Sequence, residues 1–406
     1  MRELVIQKFG GTSVATADRR EQVIDKVINC LNQGKKPVLV VSAIGEQGDP
    51  YATDTLLEFV KQVHDKIESR SKALLMSCGE VISSVVITQA LRKRGYKAEP
   101  LTGAQAGIVT NQQFTEARIK EIDTQDILEV LEAEKIPVIA GFQGLTKDGE
   151  ITTLGRGGSD TTACALGAAL HAEMVEIYTD VEGVMTADPR IVPNARTLKH
   201  VTYDEVCELA YQGAQVIHPR AAEIAKRERV PVIIRSTFSE AEGTVVSNAF
   251  KQEEMEIKGD KPVTGITSRT NVVLLRIAPK NQQENATALG CFRVLADAGI
   301  SVDFINVRPE LISFMVDEIV AEEAAALLEE AGYNYQLASD FVKVSVVGAG
   351  MSGRPGIMAR VVEALSAAGV SIYQTTDSHT AISCLIRAQA KEESLQVLHD
   401  YFELAD

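Results

Sequence analysis

The sequence predicts an α/β protein: a mainly parallel sheet sandwiched by helices, followed by two ferredoxin-like βαββαβ units. Three observations carry this. Strand and helix patterns alternate over residues 4–236, two strand-to-helix corners are rich in glycine, and a strand–helix pattern repeats beyond residue 262. In the first region apolar or β-prone runs recur at 4–9, 37–42, 97–101, 136–140, 174–178 and 231–235. A run apolar throughout, such as 37–42, suits a strand covered on both faces. Ligands of such sheets bind beyond the C-terminal strand ends. Lys8, Ser42, Phe142, Arg156 and Asp160 all fall in loops at or after such ends.

The first strand ends in Lys8-Phe9-Gly10-Gly11-Thr12-Ser13, and a helix capped by Asp18 is expected to Leu31, with Gly34 as its stop. Lys8 sits just before the turn, where its ammonium reaches phosphate oxygens gathered over the glycines; alone it also reads as a solvated strand end. No GxxxxGK[ST] pattern occurs, which excludes an ordinary P-loop. The strand 37–42 leads into Ser42-Ala43-Ile44-Gly45, and the polar stretch 46–51 is a candidate lid. Helices are expected at 54–67 and 71–94, the second interrupted at Ser77-Cys78-Gly79-Glu80. Glycine costs about 1 kcal/mol within a helix, and a carboxylate among apolar residues wants a partner. Glu80 is either a contact for a ligand's amino group or an acid starting the second half of that helix.

The other corner is Thr153-Leu154-Gly155-Arg156-Gly157-Gly158-Ser159-Asp160-Thr161-Thr162-Ala163, between a β-prone run at 150–154 and an apolar helix at 161–170. Its glycines let backbone N–H groups approach a ligand, and the helix presents free donors and a positive dipole end. Arg156 adds a cation for a carboxylate, and Asp160 an acid that orients a cation or a metal. In isolation this is also a glycine turn with Ser159 or Asp160 as N-cap; the second corner, at Gly10 and Gly11, favours an anion site. The strand 174–178 leads into Thr179-Asp180-Val181-Glu182-Gly183-Val184-Met185-Thr186-Ala187-Asp188-Pro189-Arg190. That loop suits ribose hydroxyls and a phosphate, or else is a polar loop with Asx turns. His218-Pro219 reads as a helix start.

Of the 406 residues 45% are apolar, enough for sizeable cores, and the formal charge is −15 with no basic stripe. This argues against a nucleic-acid or membrane-surface partner. Six cysteines lack CxxC spacing, so no zinc or other structural metal site and no disulfide framework is indicated. A charged residue and a short strand open the chain, with no signal-peptide run and no apolar run of membrane-spanning length. A cytoplasmic protein in a reducing compartment is expected.

Charged residues and Gly259 mark a linker at 251–262. Beyond it, strand 272–278, helix 287–298, strands 301–307 and 311–316, helix 321–330 and strand 333–337 form one βαββαβ unit. A second begins with 342–347, 355–368, 370–375, 381–387 and 391–402 and lacks its last strand. The phrases Ala298-Gly299-Ile300-Ser301-Val302 and Ala368-Gly369-Val370-Ser371-Ile372 support the repeat. The spare strand 263–268 is expected to pair into the second sheet, which makes the first unit an insertion. The boundaries are then 1–250, linker 251–262, 269–338, and 263–268 with 339–406. Gly348-Ala349-Gly350-Met351-Ser352-Gly353 matches GxGxxG, but too little chain follows for a dinucleotide fold, so it is taken as a glycine-rich ligand or packing loop.

Lys8-Phe9-Gly10-Gly11-Thr12-Ser13, Gly155-Arg156-Gly157-Gly158-Ser159-Asp160-Thr161 and Thr179-Asp180-Val181 with Asp188-Pro189-Arg190 resemble aspartate kinases of the amino-acid-kinase superfamily. The tail resembles their paired ACT domains. Length and the residues 45–53 look most like the diaminopimelate-responsive isozyme. The resemblance implies ATP with Mg²⁺ and L-aspartate giving 4-phospho-L-aspartate, the first step toward lysine, diaminopimelate, threonine and methionine. It implies that Lys8 stabilises the transferring phosphoryl group and Asp160 orients it. Arg156 grips the substrate α-carboxylate and Glu80 its amino group, with Ser42, Phe142 and Ser159 shaping the pocket. Gly10, Gly11 and Ser13 cradle phosphate, while Thr179, Asp180, Met185, Asp188, Arg190 and Gln215 meet the nucleotide. Gln215 stands where the family usually has lysine, and Met185 where it often has an aromatic residue. Ser301, Val302 and Asp303 match positions that hold an amino-acid effector: diaminopimelate, lysine or threonine. ACT domains of this family commonly pair, which implies a homodimer or larger assembly. The alternatives are a related kinase for glutamate or N-acetylglutamate, and a catalytically weak amino-acid-sensing regulator.

Overall fold

The computed structural model describes residues 3–214, 216–248, 262–278, 284–351 and 353–405. The expected linker at 251–261 and Gln215 lie outside them. The chain divides into two compact units, and the division is not a single cut. Met1–Val184, Thr197–Ala210 and Gln215–Glu256 form one, and Met185–Arg196, Tyr211–Ala214 and Ile257–Asp406 the other.

The first unit begins β1 (Leu4–Phe9), α1 (Gly11–Val14), α2 (Ala17–Asn32), β2 (Lys36–Val41), α3 (Thr53–Lys61), α4 (Ser69–Lys93) and β3 (Ala98–Leu101). It continues with β4 (Ile108–Thr110), β5 (Ile119–Ile122), α5 (Gln125–Glu132), β6 (Ile136–Ala140), β7 (Gln143–Thr146), β8 (Ile151–Thr153) and α6 (Gly158–Ala169). Then come β9 (Met174–Thr179), β10 (His200–Val201), α7 (Tyr203–Tyr211), α8 (Pro219–Glu228), β11 (Val232–Ser236) and β12 (Thr244–Val246).

Among the described residues, eight of these strands form one sheet in the order β10-β12-β11-β9-β1-β2-β6-β3. β1 pairs in parallel with β2 and β9, and Phe9 lies level with both Val41 and Tyr178. The three strands therefore end together, and the segments after them, Gly10-Gly11, Ser42-Ala43 and Thr179-Asp180, emerge side by side. Phe9, Leu39 and Val41 are buried against Val23, Ile24 and Val27 of α2 and Ile87 and Leu91 of α4. Thr16, not Asp18, caps α2, its hydroxyl accepting from Arg19 N at 3.3 Å.

The expected interruption in the second helix is absent: α4 runs unbroken over 25 residues. Gly79 serves close approach, since a Cβ there would lie 2.7 Å from Ala43 Cβ and 2.9 Å from Tyr51 O. By length and composition α4 alone among the described helices could cross a membrane. Its buried residues include Ser77, Glu80, Ser83, Ser84 and Thr88, the polar stripe of a helix packed inside a protein. A smaller sheet, β5-β4-β7-β8, was not expected from the sequence; its strands are only three or four residues long.

The second unit holds β13 (Gly265–Ile277), α9 (Glu284–Asp297), β14 (Asp303–Arg308), β15 (Leu311–Asp317), α10 (Ala321–Glu330) and β16 (Tyr335–Val347). α11 (Ile357–Ala367), β17 (Gln374–Asp377), β18 (Ala381–Arg387) and α12 (Lys391–Tyr401) complete it. Its sheet is continuous, in the order β14-β15-β13-β16-β18-β17. The four short strands expected at 263–268, 272–278, 333–337 and 342–347 are two long ones. Gly265 to Arg269 pair with Val347 to Lys343, and beyond a register shift Leu274 to Ile277 pair with Ala338 to Tyr335. Asn271, at φ 59°, marks the irregularity that lets one strand serve both halves of the sheet. In the GxGxxG stretch a Cβ on Gly348 would lie 2.1 Å from Pro262 O, so that glycine admits a neighbouring backbone; Ser352 lies outside the described residues.

The segment Met185–Arg196 is built into this second unit. Ala187 and Val192 are buried among Val263, Ile266, Leu398 and Leu404. Thr186 O accepts from Ile266 N at 2.7 Å, and Thr186 Oγ1 lies 2.9 Å from Nε2 of the buried His399.

Candidate active site

The two glycine corners meet. Lys8 Nζ lies 2.7 Å from Asp160 Oδ1, and both side chains are only 12% exposed. Lys8 comes from the end of β1. Asp160 stands in the first turn of α6, because the helix begins at Gly158, three residues earlier than the sequence pattern suggests. Neither Ser159 nor Asp160 is the N-cap. That position is Gly157 in the left-handed conformation (φ 63°), with no side-chain cap, and the first N–H of α6, that of Gly158, donates back to Gly155 O at 3.0 Å. Asp160 Oδ1 makes no directed hydrogen bond, and Oδ2 accepts from His218 N at 3.3 Å.

Gly10 and Gly11 are tightly placed. Gly10 N donates to Tyr178 O at 3.3 Å, and Lys8 Nζ lies 3.6 Å from where a Cβ of Gly10 would be. A Cβ on Gly11 would lie 2.5 Å from Gly45 O. Ser13 is buried, its hydroxyl 2.7 Å from that of Thr237. Ser42 N donates to Phe9 O at 3.1 Å, which ties the β2 end to the β1 end. In the expected lid, Glu46 N donates to Asp49 Oδ2 and Gly48 N to Thr55 Oγ1, both at 2.9 Å.

Glu80 is a mid-helix residue, not a helix-start acid. It is 3% exposed, Oε1 accepts from Ala43 N at 3.1 Å, and Oε2 has no hydrogen-bond partner. Burial pushes its carboxyl up to about 8, against the smaller opposing pull of the Ala43 N–H. A buried carboxylate with one bare oxygen suits an ammonium.

Phe142 holds a positive φ of 68°, its N–H donating to Thr162 Oγ1 at 3.1 Å and its carbonyl accepting from Leu154 N at 2.8 Å. Its ring occupies the space beside Gly158, 2.6 Å from where a Cβ would be. Ser159 is buried against Gly141, and Arg156 projects into solvent from the corner. Thr179 Oγ1 donates to the exposed Asp180 at 3.0 Å.

Met185, Asp188 and Arg190 belong to the second unit. Asp188 accepts from Arg190 Nε at 3.0 Å and from a terminal guanidinium nitrogen at 2.8 Å, which holds its carboxyl below the usual range. Also in the second unit, Ser301 and Asp303 line a cavity of about 280 Å³ together with Arg269, Gly299, Asp317 and Val320. Val302 instead packs against the core around Leu295 and Phe314. The ammonium that Asp303 meets is that of the buried Lys343, 2.8 Å from Oδ2, with Arg269 3.8 Å away. Burial opposes its ionisation, yet Lys343 and the Phe304 N–H hold it below the usual carboxylate range.

His218-Pro219 starts α8 as the sequence suggests, but its part in the site was not legible there. His218 lies against Gly157, where an added Cβ would stand 2.1 Å from His218 Cβ. Burial lowers its imidazole pKa below the ordinary value. Its Nδ1 accepts from Arg220 N at 3.3 Å. Gly157→Ala is expected to cost about 1–2 kcal/mol from the left-handed backbone alone, and the clash with His218 adds to it. Thermal denaturation with turnover measured alongside checks this, and an unchanged melting temperature contradicts it.

The sequence profile of the amino acid kinase family matches residues 3–236, and an ACT domain profile matches residues 336–400. Aspartokinase 1 of Bacillus subtilis (strain 168) is 45% identical over 403 residues, covering 99% of this chain and 100% of that protein. The aspartokinase of Geobacillus stearothermophilus is 41% identical over 411 residues, covering 99% and 98%. The crystal structure of E. coli aspartokinase III in complex with aspartate and ADP is similar with a TM-score of 0.81 at 26% identity, over 98% of this chain and 99% of that one. The chain belongs to the aspartokinases of the amino acid kinase family and is an aspartate kinase with ACT domains in its C-terminal part.

Proposed function

We propose that the chain transfers the γ-phosphoryl group of ATP to the side-chain carboxylate of L-aspartate, giving 4-phospho-L-aspartate. The observation that carries this reading is the Lys8–Asp160 pair at 2.7 Å, at the meeting of a strand end and a helix N-terminus. The acceptor carboxylate is ionised at neutral pH, so the reaction needs no general base. It needs neutralisation of developing charge and in-line placement. Lys8 supplies a cation to the transferring group, and Asp160 holds that cation in place. Gly10, Gly11 and Ser13 cradle the phosphate oxygens, the glycines by admitting them close to the backbone. Arg156 grips the α-carboxylate of aspartate and Glu80 its ammonium, with Ser42, Phe142 and Ser159 forming the pocket. Thr179, Asp180, Met185, Asp188, Arg190 and Gln215 serve the nucleotide.

Mg²⁺ accompanies the nucleotide in this reading and neutralises phosphate charge. No cluster of three or more carboxylate, histidine or cysteine side chains that could hold a metal occurs among the described residues.

The product places the enzyme at the first step toward lysine, diaminopimelate, threonine and methionine. Its activity is controlled by one of those end products at Ser301, Val302 and Asp303, in ACT domains comprising 269–338 and 263–268 with 339–406, paired in a homo-oligomer. E. coli aspartokinase III is also known in complex with lysine and aspartate. The isozyme resemblance selects diaminopimelate as the effector here. Initial rates of aspartate-dependent ADP release against lysine, threonine and diaminopimelate are expected to fall with diaminopimelate alone. Inhibition by lysine or threonine instead reassigns the isozyme, and preference for glutamate over aspartate in the same assay overturns the substrate.

A further inference from the structure

Arg220 stands where a cation is least favoured, in the first turn of a helix, beside the positive end of its dipole. It is also half-buried, and burial lowers its pKa, with Arg118 adding to the effect. Neither condition is met without compensation. Its guanidinium donates to Leu154 O at 2.8 Å and to Ala117 O at 2.7 Å. Leu154 immediately precedes Gly155-Arg156-Gly157. Ala117 lies alongside, its N–H donating to Thr153 O at 2.9 Å. One planar group thus holds two main-chain segments at the root of the corner.

The same helix start touches the far end of that corner. His218 N donates to Asp160 Oδ2, and the His218 side chain fills the space against Gly157. The loop 154–160 is therefore clasped on one side by Phe142, through Leu154 N and the wall beside Gly158, and on the other by His218 and Arg220. Arg156 itself projects into solvent, so its direction is set by the backbone that bears it.

We infer that Arg220 is a positioning residue for phosphoryl transfer: by fixing Leu154 and Ala117 it aims Arg156 at the α-carboxylate of aspartate and keeps Asp160 level with Lys8. This rests on the reading of Arg156 and Asp160 proposed above. Lysine keeps the charge but replaces the fork by a single ammonium on a flexible stem, which cannot hold the two carbonyls with the same fixed geometry. A small misplacement at a reacting centre costs up to about 100-fold in rate.

The test is steady-state kinetics of the full-length enzyme for Arg220→Lys, Arg220→Met and Arg156→Gln, with thermal denaturation of each. Arg220→Lys is expected to raise the KM for aspartate about tenfold and to lower kcat, with the KM for ATP within about twofold. A purely structural role lowers the amount of folded enzyme and moves neither KM. Arg220→Met loses both donors and is expected to do more; if it does not fold, Arg220→Lys decides. The inference is overturned if the KM for aspartate in Arg220→Lys is unchanged, or rises no more than that for ATP. If Arg156→Gln leaves that KM unchanged while Arg220→Lys raises it, the role of Arg156 fails and the positioning of the loop stands.

Discussion

Lys8→Ala is expected to lower kcat on the order of 10³-fold while the circular dichroism spectrum stays that of the wild type. The lysine ammonium is the cation held at the junction of the two corners, and the Asp160 carboxylate 2.7 Å away keeps it there. In its proposed role, removing it takes a neutralising cation from the transferring group in the transition state. It also leaves a mostly buried carboxylate without its partner. Breaking a fully buried pair costs about 3–5 kcal/mol; this one retains some access to solvent, so the loss should be smaller. The double variant Lys8→Ala, Asp160→Ala separates the two effects. It should regain most of the lost melting temperature and none of the lost turnover. Turnover of Lys8→Ala within about tenfold of wild type, against the 100-fold or more that loss of a transition-state contact costs, removes Lys8 from the reaction.

What could be read from the sequence was local. A strand that ends in glycines and turns into a helix carries its signature in consecutive residues, and both corners were legible for that reason. So were the alternation that gives the parallel sheet and the apolar periodicity of the C-terminal repeat. What failed depends on neighbours distant in sequence. Gly79 looked like a break because its cost within a helix is local, whereas its benefit, the approach of Ala43 and Tyr51, is tertiary. The β4, β5 and β7 strands are too short to show a period. One long strand with an irregularity at Asn271 reads as two short ones. His218-Pro219-Arg220 looked like an ordinary helix start, and only Leu154, Ala117 and Asp160, far away in the chain, give it another meaning. A cation in the first turn of a helix was the one signal available, since the dipole disfavours it.

The segment Met185–Arg196 shows the same limit from another side. Its acids and its Asp-Pro-Arg turn read as nucleotide contacts, but nothing in twelve residues tells where Ala187 and Val192 are buried. They lie among side chains of the C-terminal unit, with Thr186 against His399.

Glu80→Gln is expected to raise the KM for aspartate by about 100-fold at pH 8 and to abolish most of its pH dependence. The wild-type carboxyl is pushed up to about 8 by burial, from 4.5 in an open chain. Between those values the folded protein holds a proton that the unfolded chain has released, so wild-type stability falls as pH rises through that interval and levels off above 8. Glutamine carries no such term. The melting temperature of Glu80→Gln should therefore match or exceed that of wild type, with the gap absent near pH 4.5 and widest above pH 8. Binding runs the other way. In the proposed contact the substrate ammonium pairs with the ionised form, and from pH 6 to pH 8 the wild-type KM for aspartate should fall by up to about tenfold per pH unit. Binding in this range should release a proton, visible as a dependence of the calorimetric enthalpy on the ionisation enthalpy of the buffer. Parallel KM profiles for wild type and Glu80→Gln, together with no proton release, contradict the contact between Glu80 and the substrate ammonium and return the bare Oε2 to the status of a structural oddity.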